Sequence, residues 1–67
     1  MKLLELLSHC NPNDCIEVIS LSSNLEVRKT LHSVYYLINN LTLSCLNGNV
    51  QRMAVIDDKT LRVLVIE

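Results

Sequence analysis

Leu61-Arg62-Val63-Leu64-Val65-Ile66 is apolar at both odd and even positions, and Arg62 is its one charge. Successive side chains of a strand point to opposite faces, so such a segment is satisfied only when both faces are covered, at the centre of a sheet or beneath another subunit. Cys15-Ile16-Glu17-Val18-Ile19-Ser20-Leu21 has the same two-sided character, with Ile16 and Val18 on one face and Ile19 and Leu21 on the other. Two inner strands in a chain of 67 residues commit most of it to one sheet. No second core fits, and a single domain over residues 1–67 is expected.

The other segments follow from period and punctuation. Leu3, Leu4, Leu6 and Leu7 form a stripe on a short helix over residues 3–9, which the Asn11-Pro12-Asn13-Asp14 turn stops. After Ser22-Ser23-Asn24, Leu25, Val27 and Lys29 alternate with Glu26 and Arg28, the pattern of an edge strand with one wet face. From Thr30 the period turns helical through Leu31, Val34, Tyr35, Ile38, Leu41 and Cys45, with Thr30 as cap and Asn47-Gly48 supplying a left-handed terminal residue. Asn39-Asn40-Leu41-Thr42 is the weak point of this second helix, because Asn and Thr are poor helix formers. Asp57-Asp58-Lys59-Thr60 joins strands Val50–Ile56 and Leu61–Ile66 in a hairpin. The expectation is an α+β domain of order αββαββ, with a four-stranded, mainly antiparallel sheet and two helices packed on it.

Of the apolar residues 25 are Leu, Val or Ile, while Phe and Trp are absent and Tyr35 and Tyr36 are the only aromatics of their class. An aliphatic core this small is marginal, so self-association as a dimer is expected. No apolar run reaches the roughly 18 residues of a membrane span. With no recognisable leader, and with Cys10, Cys15 and Cys45 an odd set, a cytoplasmic protein with free thiols is expected. A formal charge of −1 without basic clusters argues against direct nucleic-acid binding.

Candidate chemistry is sparse. His9, Cys10 and Cys15 could combine with His32 or Cys45 as soft ligands, but no second closely spaced pair accompanies them, so no metal is expected. Neither histidine forms a nucleophile motif with a cysteine, and a single glycine, Gly48, gives no phosphate loop; no enzyme activity and no cofactor are expected. Asp57, Asp58 and Glu17 could be grouped as a carboxylate cluster, but adjacent acids in a tight turn normally face water and cap the turn amides, so a solvated turn is expected. Arg28, Lys29, Arg52 and Arg62 would form a modest positive strip if their strands are neighbours, but no aromatic lies among them to stack a base. The back of the second helix is the candidate partner-binding surface. There Tyr36 and Leu43, seven residues apart, project beside His32, Asn39 and Asn40, an apolar centre ringed by polar groups as at protein interfaces.

Leu3-Leu4-Glu5-Leu6-Leu7, Asn11 to Asp14, Ile16-Glu17-Val18 and the hairpin from Val50 to Ile66 together resemble the very small accessory proteins of bacteriophages and prophages. That resemblance implies a protein of the host cytoplasm that acts by binding a host protein. Inhibitors of host defence, anti-CRISPR proteins among them, are a prominent class of this kind, with a defence nuclease complex as the type of partner. The functional expectation is a protein-binding module that blocks its partner by occlusion. The alternatives are a dimeric nucleic-acid-associated regulator and a self-assembling structural subunit.

Overall fold

The structure is a computed structural model and describes all 67 residues. Its elements are α1 (Leu3–Ser8), β1 (Cys15–Leu21), β2 (Val27–Ser33), α2 (Val34–Asn40), α3 (Leu43–Leu46), β3 (Asn49–Asp57) and β4 (Thr60–Ile66). The four strands form one sheet in the order β2-β1-β4-β3. The α+β class is as expected, but the sheet is mixed. β1 pairs antiparallel with β2 and parallel with β4, which closes an antiparallel hairpin with β3. Side-chain chemistry explains the order: β4, apolar on both faces, takes the centre beside β1, while β3, with Asn49, Gln51, Arg52 and Asp57, is left at the edge.

One face of this sheet carries the core. Ile16 and Val18 of β1 and Val63 and Val65 of β4 are buried against Leu3 and Leu7 of α1, Val34 and Leu37 of α2, and Cys45 and Leu46 of α3. Leu3 and Leu7, one helical turn apart, face inward, Leu6 packs at the margin, and Leu4 points to solvent. α1 is tied down at its start by Leu3 N–H donating to the Gly48 carbonyl and Val50 N–H to that of Met1, at 3.0 and 2.8 Å.

Three helices are present where two are expected. The helical spacing from Thr30 is misleading, because residues up to Ser33 remain extended as the seven-residue partner of β1. Ser33, not Thr30, is the cap: its Oγ accepts from Tyr36 N–H at 3.2 Å. The turn after α1 supplies the other partners, since Val34 N–H donates to the Asp14 carbonyl and Tyr35 N–H to that of Pro12. These bonds satisfy donors that a helix N-terminus leaves open. The expected weak point does break. Leu41 is extended, and Thr42 starts α3 by accepting from Cys45 N–H at 3.2 Å.

Gly48 does not take the expected left-handed conformation; a close approach accounts for it instead. A β-carbon there would lie 2.5 Å from Val65 Cγ1 and 3.0 Å from the Cys45 carbonyl oxygen. The positive φ falls on Leu25, at 63°, in the turn where Ser22 and Glu26 bond each other. Its side chain is 80% exposed, so no packing offsets the backbone strain.

Because Val65 is buried and cannot yield, Gly48→Ala is expected to lower unfolding free energy by about 1–3 kcal/mol in urea denaturation. Leu25→Gly is expected to raise it by up to about 1 kcal/mol in the same measurement, since relief of the left-handed strain exceeds the added chain entropy.

Candidate functional site

Helices of six, seven and four residues rise about 1.5 Å per residue, enough to roof one face of a four-stranded sheet and no more. The opposite face is bare. Alternation places Glu17, Ile19 and Leu21 of β1, Arg62, Leu64 and Ile66 of β4, and Val27, Lys29 and Leu31 of β2 upon it, with Arg52 and Ala54 of β3 in register beside β4. Val27, Leu31 and Ile66 are exposed, and Ile19, Leu21 and Leu64 are half-buried. Ile19, Leu64, Arg52, Arg62 and Ala54 border a shallow depression of about 190 Å³.

At the centre of this face lies a charge cluster. Glu17 stands opposite Arg62 in the parallel register, and Arg62 Nε donates to its Oε1 at 3.2 Å while Lys29 Nζ lies 3.4 Å from the same oxygen. Only 5% of Glu17 is exposed, whereas the two cations remain largely in solvent. Burial alone would push the Glu17 carboxyl up; the Arg62 guanidinium and the Lys29 ammonium outweigh it and hold the group below the usual carboxylate range. Arg52 has no carboxylate within ion-pair distance. Asp57, opposite Thr60, stands at the end of the same face, so the face holds three cations against two acids, while the other residues hold three cations against five acids. Arg28 drops out of the expected basic strip, because alternation puts it on the helix side, where it meets Glu26 at 3.7 Å.

On the helix side the five residues expected as a partner surface do not form one patch. His32 of β2 stacks on Tyr36 of α2 with ring centroids 3.7 Å apart and an interplanar angle of 15°. His32 Nδ1 accepts from Ser33 N–H at 2.9 Å, which assigns any proton of the neutral ring to Nε2. Tyr36 and Asn40 border a groove of about 410 Å³ with Arg28, Thr30, Thr42 and Ser44. Asn39 faces a different hollow, beside Tyr35 and Ile38. Both amides are bound locally, Asn39 Nδ2 donating to the Tyr35 carbonyl at 2.8 Å and Asn40 Nδ2 to that of Tyr36 at 2.9 Å. Leu43 is 76% exposed but lies beyond the extended Leu41, so its seven-residue spacing from Tyr36 places the two on no common helix face.

All three cysteines are free thiols. Burial, aided by Asp14, pushes the Cys10 thiol up, and its Sγ donates to the Leu6 carbonyl at 3.3 Å. Burial also pushes Cys45 up, with Ser20 opposing and Glu67 adding to the shift. Thiols held protonated serve packing better than nucleophilic attack. No three His, Cys, Asp or Glu side chains converge as metal ligands, and Asp57 is occupied in accepting from Lys59 N–H at 2.8 Å. No helix is long and apolar enough to cross a membrane.

Comparison with protein-family models, with curated proteins and with solved structures yields no match. Strands apolar on both sides carry the signal for the bare face in the sequence, and helices too short to cover two faces decide that one side stays open.

A carboxyl whose folded pKa is depressed contributes stability in full above its ordinary value of 4.5 and loses it as pH falls through the folded value. Thermal unfolding of Glu17→Gln is accordingly expected below that of the unsubstituted chain at neutral pH, with the gap closing as the pH is taken below 4.5.

Proposed function

We propose that the chain is a protein-binding module that acts by occupying a partner's surface, with the bare face of the sheet as its contact surface. One observation carries this reading: the two central strands present Ile19, Leu21, Leu64 and Ile66 on a face that no helix covers. An apolar centre with a polar, charged surround is the anatomy of a protein interface. The excess of cations over acids on this face favours a partner whose own apolar patch is rimmed by carboxylates. The resemblance to small phage proteins supplies the class of partner, a host protein such as a component of a defence nuclease complex. Inhibition by occlusion needs no reacting group.

Nucleic acid is the weaker reading for the same face. Lys29 and Arg62 share the Glu17 carboxylate, and none of the residues assigned to the face is aromatic, so the stacking platform typical of single-strand binders is missing.

Leu31 and Ile66 are exposed and can be replaced without opening the core. Immobilised on a column, the chain is expected to retain a discrete protein from lysate of its source cells. Leu31→Asp and Ile66→Asp should each weaken that retention more than tenfold, in line with the ~2 kcal/mol of a hot-spot truncation. Tyr36→Ala and Leu43→Ala should leave it intact. Loss at Tyr36→Ala with retention in Leu31→Asp would move the contact to the groove beside α2. Retention of DNA or RNA alone, released steeply by salt, would replace the protein-binding reading with the nucleic-acid one.

A further inference from the structure

The two edges of the sheet differ in how they are protected. β2 carries Arg28 and Lys29 next to each other, and charges of this kind blunt an edge against further pairing. β3 has no such guard. Between Val50 and Ile56 its one charged residue is Arg52, and beyond the bridge that Met1 to Leu3 make to its start at Asn49 and Val50, the outer side of its backbone has no strand partner. Val50 packs against the core, but from Met53 to Ile56 the apolar side chains are exposed on both faces. Met53 and Val55 lie in register with Val63 and Leu61 on the helix side, but beyond the reach of the helices, and are 54% and 77% exposed. Ala54 lies on the other face, in register with Arg62, and the neighbouring Ile56 is exposed as well.

We propose that β3 pairs antiparallel with β3 of a second copy of this chain, about a two-fold axis at Ala54, to give a closed dimer with one continuous eight-stranded sheet. The register follows from the residues. In an antiparallel pair, side chains directly opposite share a face, so a two-fold between identical strands passes through a residue and not between two. Centring on Ala54 sets the smallest side chain against itself. It also sets Met53 opposite Val55 of the second copy twice over, and Arg52 opposite Ile56, which keeps the two guanidinium groups apart. Centring on Val55 would put Met53 against Asp57, and centring on Met53 would put Val55 against Gln51. Register shifts at Gln51 and Ile56 break the regular strand on either side, limiting pairing to this central stretch. The guarded β2 edge stops the sheet from growing further, so the assembly ends at two.

Sedimentation equilibrium of the full chain over a concentration series tests this. The mass is expected to rise with concentration from 7.6 kDa toward twice that value. Val55→Lys, at an exposed position, should hold the mass at the monomer while leaving the far-ultraviolet circular dichroism unchanged. Under oxidised glutathione, Ala54→Cys should cross-link between copies well above the level given by the chain's own three thiols, and Leu31→Cys on the far side of the sheet should not. A single monomeric mass at every concentration, an oligomer larger than two, or a dimer that persists in Val55→Lys would overturn the proposal. Leu31→Asp, which tests the bare face, should leave the dimer intact, so this inference and the protein-binding reading fail separately.

Discussion

β1 and β4 lie side by side and parallel in the middle of the sheet, and the rest of the molecule is arranged around what that pairing demands. Each strand is flanked on both sides, so all of its backbone groups are directed at other strands and both rows of its side chains need cover. The chain contains enough helix for one row. Leu3, Leu7, Val34, Leu37 and Leu46 fill the space above Ile16, Val18, Val63 and Val65. The short loops then determine the remainder, since each central strand takes its own hairpin partner to its outer side and leaves β2 and β3 as the edges. Gly48 belongs to the same arrangement. It lets the chain leave α3 directly over Val65, where any side chain would collide.

What the sequence makes legible here is decided by range. Central strands, the edge character of β2, the first helix and the last hairpin are local patterns of alternation and turn chemistry, and they appear where those patterns place them. The break at Leu41 is equally local, because Asn39, Asn40 and Thr42 disfavour continuation and Thr42 is a good cap. Two features are not local. Leu31 fits a helical stripe with Val34 and Tyr35 as well as it fits a strand, and only the need of β1 for a seven-residue partner decides for the strand. The parallel pairing of β1 with β4 depends on comparing segments some 45 residues apart, as does the Glu17 to Arg62 contact that it creates. The five residues expected as a surface around Tyr36 are divided by the local break, since Leu43 belongs to α3 and Tyr36 to α2. Tyr36 and Asn40 remain neighbours of one groove and His32 stacks on Tyr36, while Asn39 and Leu43 do not join them.

Glu17 shows how the bare face tolerates a charge at its centre. A carboxylate so little exposed would ordinarily be neutralised or moved to the rim, but a cross-strand guanidinium and a diagonal ammonium keep it ionised. Lys29 stands opposite Ile19, and Arg62 borders the same depression as Ile19 and Leu64, so their aliphatic stems add to the apolar ground of the face. Seen from a partner, the face offers aliphatic ground with cationic heads at its surface, and its central acid, Glu17, is already engaged. A like face would meet it poorly, because two such surfaces brought together would oppose cation to cation at close range.

This is also why the edge and the face call for different occupants. Face-to-face association of two copies would bring together surfaces that each carry an excess of positive charge, whereas association through β3 brings together Ala54, Met53, Val55 and Ile56 and separates the arginines. Edge pairing leaves the bare faces of both copies on the same side of one continuous sheet, since a two-fold axis perpendicular to the sheet preserves the side on which each face lies. A dimer of that form would present two copies of the Glu17 cluster and its aliphatic surround to a single partner, and two weak contacts held at fixed separation bind more tightly than one alone. Small size limits how much surface one chain of 67 residues can present, and pairing at the unguarded edge doubles that surface without adding a residue.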